Sequence, residues 1–232
     1  MILTPIPSDQ LAATLDRFAA DLRSPHARNA FGLIRSTSAE RAAEPEAEQH
    51  RLVALAIAGS FGMAVHPPGV RCRFNWDGTA LNGATEAYVI LHEIAHFALA
   101  PARRRRVIDF GHGPGPDTLD RARADRAAML SPLAREREEA AASLLGILWE
   151  AALGQPALAS FLDQNWLEGL KRGAARHFTR VLAGLNRRRL SAGLPGPASP
   201  MPGIPIPAIP IPPAIPIPKV LLQPRPGAAQ IR

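Results

Sequence analysis

Apolar positions along this chain recur mostly at helical spacing. Near the start, Leu11, Leu15, Phe18 and Leu22 lie three or four residues apart behind Ser8, a residue type that caps helices. Ser24-Pro25 ends that pattern. A second helix is expected after Pro45, running through Leu52, Leu55 and Ile57 to Gly59. The stretch "MAVHPPGVRCRFNW", residues 63–76, has extended character around a Pro-Pro-Gly turn and predicts one or two short strands. A third helix is expected from about Thr85 to Pro101, followed by a mixed acidic and basic stretch. A fourth runs from Ser131-Pro132 to Gly154, with Gly154 and Pro156 as stop signals. A last amphipathic helix covers about 166–190 and ends in Arg187, Arg188 and Arg189. No internal repeat occurs in residues 1–190.

The pattern changes at Pro195. From there to residue 232 the chain holds 13 of its 24 prolines, including "IPIPAIPIPPAIPIP". Proline cannot donate to a helix or a ladder, so residues 195–232 are expected to be a disordered or polyproline II arm. Such an arm can dock a partner domain, although a solvated extension is the simpler expectation. The domain expected to carry the chemistry is residues 1–190, long enough to bury a sizeable core within 232 residues.

Charge and cysteine content narrow the setting. The net charge is +7, and of 27 basic residues only Lys171 and Lys219 are lysines. A basic surface favours an acidic partner; an acidic protein is expected here ahead of nucleic acid. One cysteine, Cys72, excludes an intramolecular disulfide and fits a reducing compartment. "MILTPIPSDQ" shows no basic leader region, and the longest apolar run, "LVALAIA", is too short to span a membrane. The sequence therefore predicts a soluble cytoplasmic protein. Nucleophilic Ser, Cys or Asp constellations and phosphate-binding glycine loops are not evident.

The chemistry-bearing stretch is "LHEIAHFALA", residues 91–100. His-Glu-x-x-His on a helix puts His92 and His96 one turn apart on one face, close enough to grip a single ion. Such a site needs a third protein ligand. His112 in "DFGHGPGPD" is one candidate. Glu139 on the fourth helix is the other, because Ala142 and Gly146 continue its stripe with small residues that allow close approach to the motif helix around Ala95. Against it, Glu136, Glu138 and Glu139 also read as a solvated, charged first turn. "RRRR" at 103–106 reads as a solvated helix end, and Asp109 can pair with Arg104 or Arg105 or hold a ligand histidine. Trp76, Trp149 and Trp166 read as core.

The segment "HEIAHFALAPARRRRVIDFG", residues 92–111, resembles the signature of the elongation factor P hydroxylase family. His92, Glu93, His96, Phe97, Arg104, Arg105 and Asp109-Phe110-Gly111 match without a gap, followed by Pro116-Asp117. Glu139, Ala152, Gly154 and Ser160 fit later family positions, and Asn165 fits with a small insertion. The chain departs at 112–114, where His-Gly-Pro replaces aromatic residues, and in a longer stretch between Asp117 and Glu139. The element pattern reads as an α+β, mainly helical single domain, and the resemblance implies that its fold is metalloprotease-like. The resemblance also implies a mononuclear metal, Fe(2+), held by His92, His96 and Glu139, with Glu93 as the acid beside it. The implied reaction is oxygen insertion into a modified lysine side chain of elongation factor P or a similar protein.

Two His and one carboxylate also serve zinc hydrolysis, so the ligand types alone leave a second reading open. That reading is a Zn(2+) metallopeptidase with Glu93 as the general base. A third is a non-catalytic protein with a structural metal and a proline-rich docking arm.

Overall fold

Proline and serine set most of the helix starts. Pro7 precedes α1 (Ser8–Asp21), Pro45 precedes α3 (Glu46–Ser60), and Pro156 precedes α7 (Ala157–Asp163). Ser24 caps α2 (Pro25–Arg35) and Ser131 caps α6 (Pro132–Ala152), each accepting a backbone N–H at 3.4 Å with proline at the first helical position. The remaining helices are α4 (Ala87–Leu99), α5 (Arg121–Arg126) and α8 (Ala174–Arg187). The computed structural model describes residues 6–167 and 173–188; the Pro-rich segment 195–232 lies outside them. Two two-residue strands, β1 (Ala64–Val65) and β2 (Ala80–Leu81), pair in parallel with Ala64 opposite Ala80. The described residues are thus mostly helical, with a minimal strand pair. No helix among them is long and apolar enough to cross a membrane.

Several sequence expectations shift. Ser24-Pro25 not only ends α1 but starts α2, because the serine that stops one helix caps the next. Only β1 lies inside residues 63–76; its partner β2 follows that segment. The mixed-charge stretch contains the short α5, capped by Asp120. Within the helix expected over about 166–190, the structure shows α8 from Ala174 to Arg187 behind Gly173 at positive φ, while 168–172 and 189–190 lie outside the described residues; α7, before that span, was not expected. Gly173, left-handed at the position before Ala174, marks the start of α8.

α4 is buried on nearly every side, which its apolar sequence requires. Ala95 and Leu99 join a core built from α1, α2, α6, α7 and α8, centred on Phe18, Phe31, Phe161 and Phe178. Ile90, Leu91, Ile94 and Ala100 join a second core with α3, Trp76 and Phe110. α6 packs against α4 through small residues, as its stripe predicts. Ala95 and Ala142 are fully buried, and a Cβ on Gly146 would stand 3.4 Å from the His92 backbone.

That contact sets the spacing on which the site depends. Gly146→Ala is expected to be tolerated. Gly146→Leu is expected to wedge α6 off α4, lowering stability by about 1–3 kcal/mol and weakening any metal bound between the helices. Chemical denaturation of both variants checks this; equal stability of the leucine variant and the parent contradicts the close packing.

Candidate metal centre

α4 carries His92 and His96 on one face, four residues apart, and α6 brings Glu139 against both. The Glu139 Oε1 lies 3.0 Å from His92 Nε2, and its Oε2 lies 3.3 Å from His96 Nε2. The two imidazole Nε2 atoms are themselves 3.0 Å apart. Donors held about 2.1 Å from one ion stand roughly 3.0 to 3.4 Å from each other, depending on coordination number. The three side chains therefore fit a shared cation, and they form a metal-capable group by proximity.

The electrostatics of the trio are strongly polarised. Burial lowers the basicity of His92, but the Glu139 carboxylate more than offsets this and raises its pKa above the ordinary value. His96 is more deeply enclosed, and burial pushes its pKa down to about 4. Burial opposes ionisation of Glu139, yet hydrogen bonds from the two histidines outweigh it and hold that carboxyl well below the usual range. Neutral His96 and ionised Glu139 are the forms that donate electron pairs to a metal, whereas His92 must release its more firmly held proton to join them.

The segment after α4 packs the floor of the site. Asp109 and Phe110 both have positive φ, 44° and 52°, and Gly111 follows at 75°. Two non-glycine residues in the left-handed region cost about 1–2 kcal/mol each. Their placement puts the Phe110 ring between two planes, stacked on Trp76 at 5.6 Å and on His96 at 5.7 Å between centroids. Trp76 Nε1 donates to the Arg105 carbonyl, and the Asp109 N–H donates to the Trp76 carbonyl at 2.9 Å. The strain is thereby held by hydrogen bonds and aromatic packing directly beneath His96.

Arg104 corrects the reading of the arginine run as a solvated helix end. It is buried and donates to the Phe110 carbonyl and to Glu138. Asp109 does not pair with Arg104 or Arg105; its carboxyl accepts from Thr118 Oγ1 at 3.0 Å, and burial raises its pKa to about 6. Glu138 is likewise not a solvated first-turn acid. Burial opposes its charge, but bonds from His112 and Arg104 lower its pKa to about 2. Glu136 remains exposed. Nothing in the local pattern around Glu138 pointed to Arg104, because the pair joins residues 34 apart.

Above the trio opens a cleft of about 670 Å³, lined by Asn75, Tyr88, Phe110, Thr118, Asp117 and Glu136 among others. Glu93 lies at its base; burial pushes its carboxyl up to about 8, so it keeps its proton at neutral pH. Among the sequence-derived candidates, the structure brings His92, His96, Glu139, Glu93 and His112 to the walls of this one cleft. Comparisons with protein families, curated proteins and solved structures found no match.

Proposed function

We propose that this chain is a metal-dependent hydroxylase resembling the elongation factor P hydroxylases, with Fe(2+) held by His92, His96 and Glu139. The observation that carries the reading is the convergence of two imidazoles and one carboxylate at the base of an open cleft. Two His and a carboxylate are the ligand set of oxygen-activating mononuclear iron sites as well as of zinc hydrolases. When bound, such an iron supplies oxygen activation. In the overall reaction one atom of dioxygen enters a substrate C–H bond and the other leaves as water, with two electrons and two protons from a reductant.

The chain's own residues do the rest. The cleft admits an extended side chain past exposed Asp117 and Glu136. Their carboxylates complement the ammonium group of a lysine-type substrate. Phe110, stacked on His96, fixes the ring of one ligand and keeps water from its face. Glu93, buried, next to His92 in sequence and on the cleft wall, is the acid beside the metal ligands. A basic surface of net charge +7 steers an acidic protein such as elongation factor P toward the site. This reading places the protein in the cytoplasm with its substrate, and takes its fold as metalloprotease-like.

Mass spectrometry of elongation factor P from cells with and without this protein tests the reading. The expected result is a gain of one oxygen on the modified lysine only when the protein is present. Identical masses, together with Glu93-dependent peptide cleavage by zinc-loaded protein, would establish the metallopeptidase instead. The position of Glu93 in the cleft is what keeps that second reading in play.

A further inference from the structure

His112 lies beside the His92, His96, Glu139 trio rather than in it, and by proximity it forms a second metal-capable group with His96 and Glu138. Its residue is 7% exposed, and every feature around it fixes its orientation. Arg135 on α6 donates to its carbonyl at 2.9 Å, and its own N–H donates to the Asp109 carbonyl at 2.9 Å. On the ring, Nε2 lies 2.9 Å from Glu138 Oε1, while the other oxygen of that carboxylate is taken by Arg104. A carboxylate pinned by arginine accepts hydrogen bonds and cannot donate one, so it holds the proton of His112 on Nε2.

The consequence falls on the opposite nitrogen. His112 Nδ1 is then an unprotonated electron-pair donor, buried and without a hydrogen-bond partner. It lies 3.7 Å from Glu139 Oε2, the same oxygen that faces His96. The His112 and His96 rings meet edge to face with centroids 4.5 Å apart. The ring nitrogen, with no donor among the described residues, therefore faces a carboxylate oxygen already turned to His96. A cation satisfies both. The carboxylate–imidazole relay from Glu138 is also the usual device for orienting a metal-bound histidine and raising its basicity.

We infer that His112 is a fourth protein ligand, through Nδ1, to the metal of His92, His96 and Glu139, positioned by Glu138 and Arg104. The inference rests on the metal site of the proposed function and extends it to metal choice. Four protein donors complete the tetrahedron that zinc prefers and leave it no open position. An ion that takes six ligands keeps two positions free beside the same four residues. The fourth ligand thus disfavours zinc hydrolysis and suits iron chemistry.

Zinc is the probe for the test, because its coordination is counted without any turnover. X-ray absorption at the zinc edge of the loaded full-length protein should show outer-shell scattering from three imidazoles. In His112→Phe, which keeps ring volume and restores an aromatic residue, it should show two. Chelator competition should give a loss of affinity of at least about a hundredfold in His112→Phe and about tenfold in Glu138→Gln, the second within the range for an outer partner. Two imidazoles in the parent protein, or equal zinc affinity in parent and His112→Phe, overturn the inference and leave the three-ligand site standing. Failure of the parent to bind zinc or iron at all overturns the inference and the proposed function together. Lack of oxygen gain on elongation factor P overturns only the latter.

Discussion

Changing His96 to Ala is expected to strip the protein of its metal, and changing Glu139 to Ala to weaken binding by more than the roughly ten- to hundredfold that losing an outer partner costs. Both residues contribute atoms within 3.3 Å of the other ligands, so neither can be replaced by a neighbour without moving a helix. Glu136 is the internal control. It lines the same cleft three residues before Glu139 but belongs to no metal-capable group among the described residues. Glu136→Ala should therefore bind metal as the parent does. Elemental analysis of anaerobically purified protein measures the outcome as ions per chain, with one expected for the parent. His96→Ala leaves a cavity against the Phe110 ring, so its fold is checked by circular dichroism before the metal is counted. A folded His96→Ala variant with full metal content would remove the site from this pair of helices.

Much of this site was legible because its information is local. The i, i+4 spacing of His92 and His96 fixes their common face once a helix forms, and the apolar run from Tyr88 to Leu99 makes that helix inevitable in a buried place. The approach of α6 was legible for a different reason: Ala142 and Gly146 are too small to hold two helices apart. Glu139 follows from that contact, and although its side chain stays half exposed, the packed structure brings it within reach of both histidines. The remainder depends on pairings distant in sequence. Arg104 reads as one of four like charges, and its burial becomes apparent only when α6 delivers Glu138 to it. The left-handed Asp109 and Phe110 carry no local signature, since neither is a residue that favours that conformation as glycine does. The helix over Pro25–Arg35 escaped because Ser-Pro signals a stop and a start with the same two residues.

The second large effect expected concerns Glu150, which the chemistry described above does not use. It lies on α6 with its side chain only 3% exposed, beside a second cleft of about 540 Å³. Around it stand Arg41, 3.7 Å away, the Ser160 hydroxyl, Asp163 and, farther off, His92. Arg41 is largely engaged elsewhere: it donates to Ser160 and Asp163, each at 2.7 Å, and lies 3.8 Å over the Tyr88 ring. Burial therefore dominates and pushes the Glu150 carboxyl from its ordinary 4.5 up to about 7. Below pH 4.5 the group is neutral in both folded and unfolded chains and carries no penalty. Between 4.5 and 7 the unfolded chain releases the proton while the folded chain keeps it, so stability falls as pH rises. Above 7 the folded protein must hold a buried carboxylate, and the full loss, on the order of 3 kcal/mol, is reached. Glu150→Gln keeps the shape of the neutral acid and removes this titration. In metal-free protein with chelator present, urea unfolding should show the stability of Glu150→Gln relative to the parent increasing by up to about 3 kcal/mol between pH 4.5 and pH 8.5. A difference that stays constant across that interval would mean that Glu150 is ionised in the folded protein throughout, with Arg41 as its effective partner.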